Sequence, residues 1–281
     1  KGVTSMTMLS INTNVGALTA ARSSYSVNKS METSMERLAS GKRINSAADD
    51  AANLGISTRI TAEIQGLKQS IKNAADAQSL LNVTEGALTE VHTILLRMRE
   101  LAVQSSNDTV RDQDRDVLQM EVAQLEAEIQ RISDDTTWSG MTLLAGGFTT
   151  GATFQIGPRD TDTIQISIEA IDATTATALA LSSHVSTQAA AQDYIVTIDN
   201  AISKISEQRG KYGAVMNRLD HAMANMQNIV TNLSTAKGRL EDADFAAESA
   251  NLARTQVLQQ ASMAMLSQAN ASKQNILALF Q

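Results

Sequence analysis

Apolar residues between Tyr194 and Leu233 recur in steps of three and four: Ile195, Ile198, Ile202, Ile205, Tyr212, Met216, Leu219, Met223, Met226, Val230 and Leu233, with Arg209 as the one break. A stripe of this period drifts little around a helix axis, so it can pack continuously against a second long helix. A partner lies upstream, where Ile60, Leu67, Ala74, Leu81, Leu88, Leu95 and Ala102 are each seven residues apart and predict a helix from about Ile56 to Ser105. Its companion column runs through Ile64 and Ile71 and then shifts to Ala77, Val91 and Met98, while Gln78, Glu85 and His92 are polar, which predicts a seam that rotates midway. After the polar turn at Asn107 to Thr109, Leu118, Val122, Leu125, Ile129 and Ile132 predict a third helix. Arg209 is expected to make a polar contact where the bundle meets the β region.

The two ends carry weaker patterns. At the start, Ile11, Val15, Leu18, Ala21, Tyr25, Met31, Met35 and Leu38 form a moderate stripe that stops near Ser40-Gly41, where glycine suits a left-handed cap. After Gly238, Phe245, Leu252, Leu258, Ala261, Met265, Ala269, Ile276 and Phe280 form a stripe rich in alanine and glutamine. Both segments are poor helix formers in isolation and are expected to be stabilised by each other or by other subunits. Gly41 to Asp50 reads as a connector whose Asn45, Ser46, Asp49 and Asp50 suit capping of the second helix. In the middle, Phe154 and Ile156, then Ile164, Ile166 and Ile168, alternate with polar residues around Gly157-Pro158-Arg159-Asp160, which predicts a β-hairpin. A stretch of Ala, Thr and Ser from Ala170 to Ala191 is expected to be a loop.

The expected fold is therefore mainly α: an elongated antiparallel bundle of long heptad helices, with a small β-hairpin region and terminal coiled-coil helices. Composition agrees. A single proline, Pro158, leaves long helices unbroken, and 43% hydrophobic residues with only 3% aromatics require an aliphatic core. Scarce aromatics count against a carbohydrate cleft or a base-stacking surface. The net charge of −7 and pI near 5.0 disfavour nucleic-acid binding. No cysteine is present, and no stretch approaches a membrane span of roughly 20 apolar residues. Lys1 to Asn14 lack the apolar core of a cleaved secretory signal, so export, if it occurs, is expected by another route.

Little in the chain favours catalysis. His92 and His221 fall on predicted helices and His184 in the low-complexity stretch, none at metal-ligand spacing. Gly41-Lys42 lacks the upstream glycine of a phosphate-binding loop. Glu241, Asp242 and Asp244 could be imagined as a metal site, but acidic residues in a first turn after Gly238 are better explained as cap and dipole partners. No enzyme and no cofactor are expected.

Two motifs go beyond periodicity. Leu38-Ala39-Ser40-Gly41-Lys42-Arg43-Ile44-Asn45-Ser46-Ala47-Ala48-Asp49-Asp50-Ala51-Ala52 resembles the N-terminal signature of bacterial flagellins. Gly238-Arg239-Leu240-Glu241-Asp242-Ala243-Asp244-Phe245, continued by Gln259-Gln260-Ala261 and Gln268-Ala269-Asn270, resembles their C-terminal signature. Ile11-Asn12-Thr13-Asn14, Arg99-Glu100-Leu101-Ala102-Val103-Gln104 and Gly213-Ala214-Val215-Met216-Asn217-Arg218-Leu219 fit the same family. The resemblance covers nearly the whole chain except the middle, where only about forty residues separate Gly140 from Ser183, so it implies a short form without the outer variable domains.

The resemblance implies a secreted subunit of the bacterial flagellum that leaves through the type III apparatus and self-assembles into the helical filament for motility. It implies an inner domain made of residues 1–50 and 238–281, a bundle domain made of 51–139 and 184–237, and a hairpin with variable loop at 140–183. The residues expected to carry polymerisation are Ile11, Val15, Leu18, Met31, Met35, Leu38, Phe245, Leu252, Leu258, Met265, Ile276 and Phe280. Arg97, Leu101 and Glu121 match the family's contacts with a host innate receptor in type and spacing. An export chaperone and hook-junction and cap proteins are further partners that it implies; neither nucleic acid nor membrane is among them. Two rivals remain: a hook–filament junction protein, which is expected to lack the match at Glu241 to Phe245 and Gln259 to Asn270, and a cell-surface polysaccharide-binding protein of flagellin type, against which the shortage of aromatics counts.

Overall fold

A computed structural model describes residues 13–171, 179, 181 and 184–278, with side chains up to residue 272. The expected positions Ile11, Ile276 and Phe280, and the leading Lys1 to Thr7, lie outside the described residues or side chains. The described elements run α1 (Val15–Ser40), α2 (Ala47–Ser105), α3 (Asp112–Asp135), β1 (Thr137–Trp138), β2 (Met141–Thr142), β3 (Ala152–Gln155), β4 (Thr163–Ile166), α4 (Gln188–Glu241) and α5 (Phe245–Ala278). They fall into two compact units, one made of residues 1–61 and 233–281 and the other of 62–232.

The 62–232 unit is a helical bundle with an aliphatic core. On α2 the buried positions of this unit are Ile64, then Ser70, Ala77, Thr84, Val91, Met98 and Ser105 in one column and Leu67, Ala74, Leu81, Leu88, Leu95 and Ala102 in the other, with Leu80 and Leu101 beside them. From Ser70 onward each column steps by seven, but Ile64 stands six residues before Ser70 and Glu63 is exposed, so the companion column shifts once, near the start of the bundle and earlier than apolar residues alone suggest. The shift falls earlier because hydroxyl residues fill three places in the companion column. Ser70 and Thr84 donate to their own helix, to Gly66 O at 3.0 Å and Leu80 O at 2.9 Å, which removes the cost of burying them.

The facing stripe on α4 is Tyr194, Ile198, Ala201, Ile205, Gln208, Tyr212, Leu219 and Met226, all buried. The seam residue is Gln208. Arg209 lies beside the seam, where its Nε donates to Glu85 Oε1 of α2 at 2.7 Å, so its contact is with a second helix and not with the β region as expected. Gln78 with Asp220 and Arg99 with Asp199 extend the series, and because partners descend along α4 as they ascend along α2, the two helices are antiparallel. Against α3, Tyr194 donates its hydroxyl to Glu126 at 2.6 Å, and burial raises the Glu126 carboxyl above its ordinary value.

Short antiparallel pairs complete this unit. β1 and β2 pair around Ser139 and Gly140, both with positive φ (50° and 82°), a tight turn that no pattern in the sequence predicts. β3 and β4 pair with Phe154 opposite Ile164, close to the expected hairpin, and bury Ile164 and Ile166. The hairpin turn rests on α2 at Gly66, where an added Cβ would lie 3.3 Å from the Cβ of Pro158.

The turn between α2 and α3 is held by one buried guanidinium. Arg115 donates to Ser105 O at 2.9 Å, to Asn107 O at 3.1 Å and to Asp112 at 2.7 Å, which satisfies the carbonyl that the last residue of α2 leaves unpaired and adds a second donor to Asn107 O, which also accepts from Val110 N. Replacing it by methionine fills the space and leaves the Ser105 carbonyl without a donor. R115M is therefore expected to lower stability by about 2–4 kcal/mol, measured by urea denaturation followed by circular dichroism.

Candidate self-assembly surface

The unit formed by the chain ends is built differently. Asn14 caps α1 by accepting from Ala17 N at 3.0 Å, and Gly41 closes it in the left-handed conformation with φ 70°. Asp244 caps α5 through Ala246 N at 2.9 Å. Among the described residues, α1 and α5 are the only pair of helices whose Cα atoms repeatedly approach within 8 Å. The less exposed positions explain this closeness. On α1 they are Ala17, Ala20, Ser24, Val27, Met31, Ser34 and Leu38; on α5 they are Glu248, Leu252, Thr255, Gln259, Ser262, Leu266 and Ala269. Both sets alternate in steps of three and four, but much of each seam is small or polar, so the backbones come close and little apolar surface is buried between them.

Polar contacts fix the pairing. Ser34 Oγ donates to Glu248 Oε2 at 2.8 Å and Arg37 Nη1 to Glu248 Oε1 at 2.9 Å, so a carboxylate sits in the seam with both oxygens satisfied. Gln259 donates to Asn28 at 2.9 Å and Asn14 to Ala269 O at 3.1 Å, which together set an antiparallel register. At the far end the 41–46 connector is clasped to the end of α4. Arg43 N donates to Glu241 O at 2.6 Å, Ala243 N to Gly41 O at 3.0 Å and Arg43 Nη2 to Leu240 O at 2.8 Å.

The acidic cluster is thereby assigned to structure. α4 continues through Gly238 to Glu241, so Glu241 does not belong to a first turn as expected. Its buried carboxylate accepts from Ser57 Oγ and pairs with Lys42 Nζ at 3.4 Å. Of the three acids, Asp244 is the cap. On the other side of the connector, Asp49 accepts from Asn45 N and Ser46 N, and Asp50 accepts from Asn53 N at 3.0 Å, so hydrogen bonds from these amides hold both carboxyls below their ordinary range.

With the seam occupied by small and polar groups, large apolar side chains are left outside. Val15 is 62% exposed, Phe245 67% and Met265 65%, and Leu18, Tyr25, Met35, Val257, Leu258 and Met263 are also exposed. One outward stripe on α1 follows Val15, Leu18, Arg22, Tyr25, Lys29, Glu32 and Glu36: mostly apolar in its first half, charged in its second. Between the helices an open groove of about 660 Å³ is lined by Gly16, Ala20, Val27, Leu258, Ala261 and Met265, among others.

The expected polymerisation residues are thus divided. Val15, Leu18, Met35, Phe245, Leu258 and Met265 face outward, whereas Met31, Leu38 and Leu252 occupy the seam within the chain. Val257 and Met263 are outward residues that sequence reasoning missed; they lie off the apolar stripe, and only knowledge of which face the seam uses would have picked them out. In the other unit, Arg97 donates to Glu121 at 2.8 Å on the surface, but Leu101 is 1% exposed and belongs to the bundle core.

The fold is that of a mainly α-helical structural protein whose terminal helix pair buries polar groups in its own seam and leaves larger apolar side chains outside. The chain belongs to the bacterial flagellin family. The model of the bacterial flagellin N-terminal helical region matches residues 11–149, and that of the C-terminal helical region matches 195–280. The chain is similar to the flagellin of Halalkalibacterium halodurans, with 41% identity over 96% of this chain and 99% of that protein. The crystal structure of Bacillus cereus flagellin superposes with a TM-score of 0.50 at 32% identity, covering 59% of this chain and 94% of that one. A putative flagellar hook-associated protein from Vibrio parahaemolyticus superposes with a TM-score of 0.60 over 69% of this chain and 100% of that one, but at 17% identity it shares the fold alone. As a flagellin the chain is a structural subunit of the bacterial flagellar filament, exported from the cell and serving motility, with no large variable domain.

The seam carboxylate makes pairing of the terminal helices sensitive to acid. Hydrogen bonds from Arg37 and Ser34 hold the Glu248 carboxyl below its ordinary value of 4.5. A group with a depressed folded value contributes stability that is complete above the unfolded value and is lost as pH falls through the folded one. Amide protection of α1 and α5 in monomer is therefore expected to fall below about pH 4.5, while E248Q is less protected at neutral pH and loses this acid dependence. Hydrogen exchange read by mass spectrometry across a pH series checks it.

Proposed function

We propose that the outward apolar residues of α1 and α5 form the seams between subunits in the filament. The observation that carries this reading is the inversion of the terminal unit: Ser34, Glu248, Thr255 and Ser262 are buried within the chain while Val15, Leu18, Phe245, Leu258 and Met265 are exposed. Burying these side chains against a neighbour removes apolar surface from water at roughly 25 cal/mol per Å², a gain the isolated subunit does not make. A heterologous interface of this kind propagates as a helix wherever its rotation does not close a ring.

In this reading residues 1–50 and 238–281 form the inner, assembling part, and residues 51–237 are carried outside it. An export chaperone would cover the same apolar side chains before assembly, and hook-junction and cap proteins would meet them at the filament's two ends. Contact with a host innate receptor would engage the exposed Arg97–Glu121 pair, with Leu101 supporting it from within the core. A two-helix pair with so polar a seam is weakly stabilised alone, so assembly also supplies much of its order.

L18E and L258E place a carboxylate at positions that are exposed in the monomer. Both variants are expected to keep the wild-type helix content yet to raise the concentration needed for seeded filament growth by at least about a hundredfold, because the charge would be buried without a partner. Electron microscopy and pelleting of seeded samples check this, and growth of either variant at the wild-type concentration removes its side chain from the seams. Amide exchange adds an independent measurement: protection of residues 15–38 and 245–272 is expected to be low in monomer relative to α2 and α4 and to rise in filament.

A further inference from the structure

Exposed methionines occur in both units. In the bundle Met98 and Met226 are buried while Met120 (62% exposed) and Met141 (49%) lie on the surface; on the terminal helix pair Met35 (45%), Met263 (56%) and Met265 (65%) stand outward among the apolar side chains proposed to meet a neighbour, all in a chain without cysteine. With no thiol present, these thioethers are the readily oxidised sulfur of that pair. Met263 and Met265 are two residues apart on one helix and so project from different sides, and Met265 also lines the groove with Leu258 and Ala261.

We propose that Met35, Met263 and Met265 are an oxidation site through which hydroperoxides control assembly, an inference that rests on the self-assembly surface proposed above. The thioether sulfur attacks the distal oxygen of the hydroperoxide; the O–O bond breaks, an S=O bond forms, sulfur loses two electrons, and hydrogen peroxide leaves as water or an alkyl hydroperoxide as an alcohol. Each sulfoxide converts a flexible apolar side chain into a polar, chiral acceptor. The intramolecular seam does not include these side chains, so the oxidised monomer stays folded. A neighbouring subunit would have to bury the new oxygen in an apolar contact without a donor, so the loss falls on assembly. Once assembled, the same packing shields the sulfur from peroxide, so subunits in transit are the sensitive form and the finished filament is resistant.

The test uses the full chain. Monomer and filament are exposed to hydrogen peroxide, sulfoxide at each methionine is quantified by mass spectrometry, and seeded growth of the treated monomer is measured. Wild-type monomer is expected to be oxidised at these three positions well before Met98 and Met226, to keep its helix content, and to need at least about a tenfold higher concentration to elongate. The variant with Met35→Leu, Met263→Leu and Met265→Leu keeps the volume and is expected to elongate normally before and after treatment, and recovery of treated wild type by methionine sulfoxide reductases supports the same assignment. The proposal is overturned if fully oxidised wild type elongates like untreated protein, or if the leucine variant stays as sensitive as wild type. Equal oxidation of the three residues in filament and monomer would instead count against the self-assembly surface itself.

Discussion

A pair of helices has one shared seam, and whatever fills it is withdrawn from every other contact. In the α1–α5 pair much of the seam is given to alanine, serine, threonine, glutamine and one glutamate, with Val27, Met31, Leu38, Leu252 and Leu266 between them. Placing Glu248 there costs desolvation, which the Arg37 guanidinium and the Ser34 hydroxyl offset. A slip of α5 along α1 would leave that carboxylate buried without either donor, and it would separate Asn28 from Gln259. The polar seam therefore defines one register at the expense of apolar burial, much as a single polar residue in a coiled-coil seam selects one alignment over its competitors.

The bundle unit shows the opposite allocation. Leu81, Leu88, Leu95 and Met98 on α2 face inward with Ile198, Ile205 and Leu219 of α4; Ser70 and Thr84 are satisfied by their own helix, and Arg209 is paired with Glu85 at the edge. That unit completes its core within one chain. The terminal unit does not, and the contrast assigns the two regions different physical tasks: one is a finished body, the other holds back apolar surface. The connector clasp, in which Arg43 and Ala243 exchange backbone hydrogen bonds with Glu241 and Gly41, ties the start of the chain to its end inside the terminal unit.

Periodicity in the sequence revealed the long helices, their antiparallel pairing and the β3–β4 hairpin, because a sustained heptad of large aliphatic residues has one physical meaning. It placed the shift of the α2 companion column too late, because Ser70, Thr84 and Ser105 keep the column in phase from Ser70 onward but do not count as apolar, and it marked Arg209 in place of Gln208 for the same reason. The β1–β2 pair escaped because two residues per strand leave no alternation to detect. In the terminal helices the error was one of direction. Apolar residues were grouped into a single stripe, yet Met31, Leu38 and Leu252 turn inward with serine and alanine while Val15, Leu18 and Met265 turn outward. When both faces of a helix are mixed, composition cannot say which face meets the partner within the chain, and the decisive feature is the run of small residues that permits close approach.

Apolar side chains held outside invite unspecific clustering, and the terminal unit limits it by interruption. Arg22 lies between Leu18 and Tyr25 on the outward stripe of α1, and Lys29, Glu32 and Glu36 take over the stripe beyond Tyr25. No long apolar band is offered, and the net charge of −7 adds repulsion between subunits that approach at random. Only an arrangement that buries the isolated apolar side chains while leaving the charges in water recovers the hydrophobic gain, which restricts productive encounters to a narrow set of orientations. In the proposed seams, selectivity for a correctly placed copy of the same chain would arise from the alternation of charge and apolar residues along the helix, just as register within the chain arises from the carboxylate in its seam.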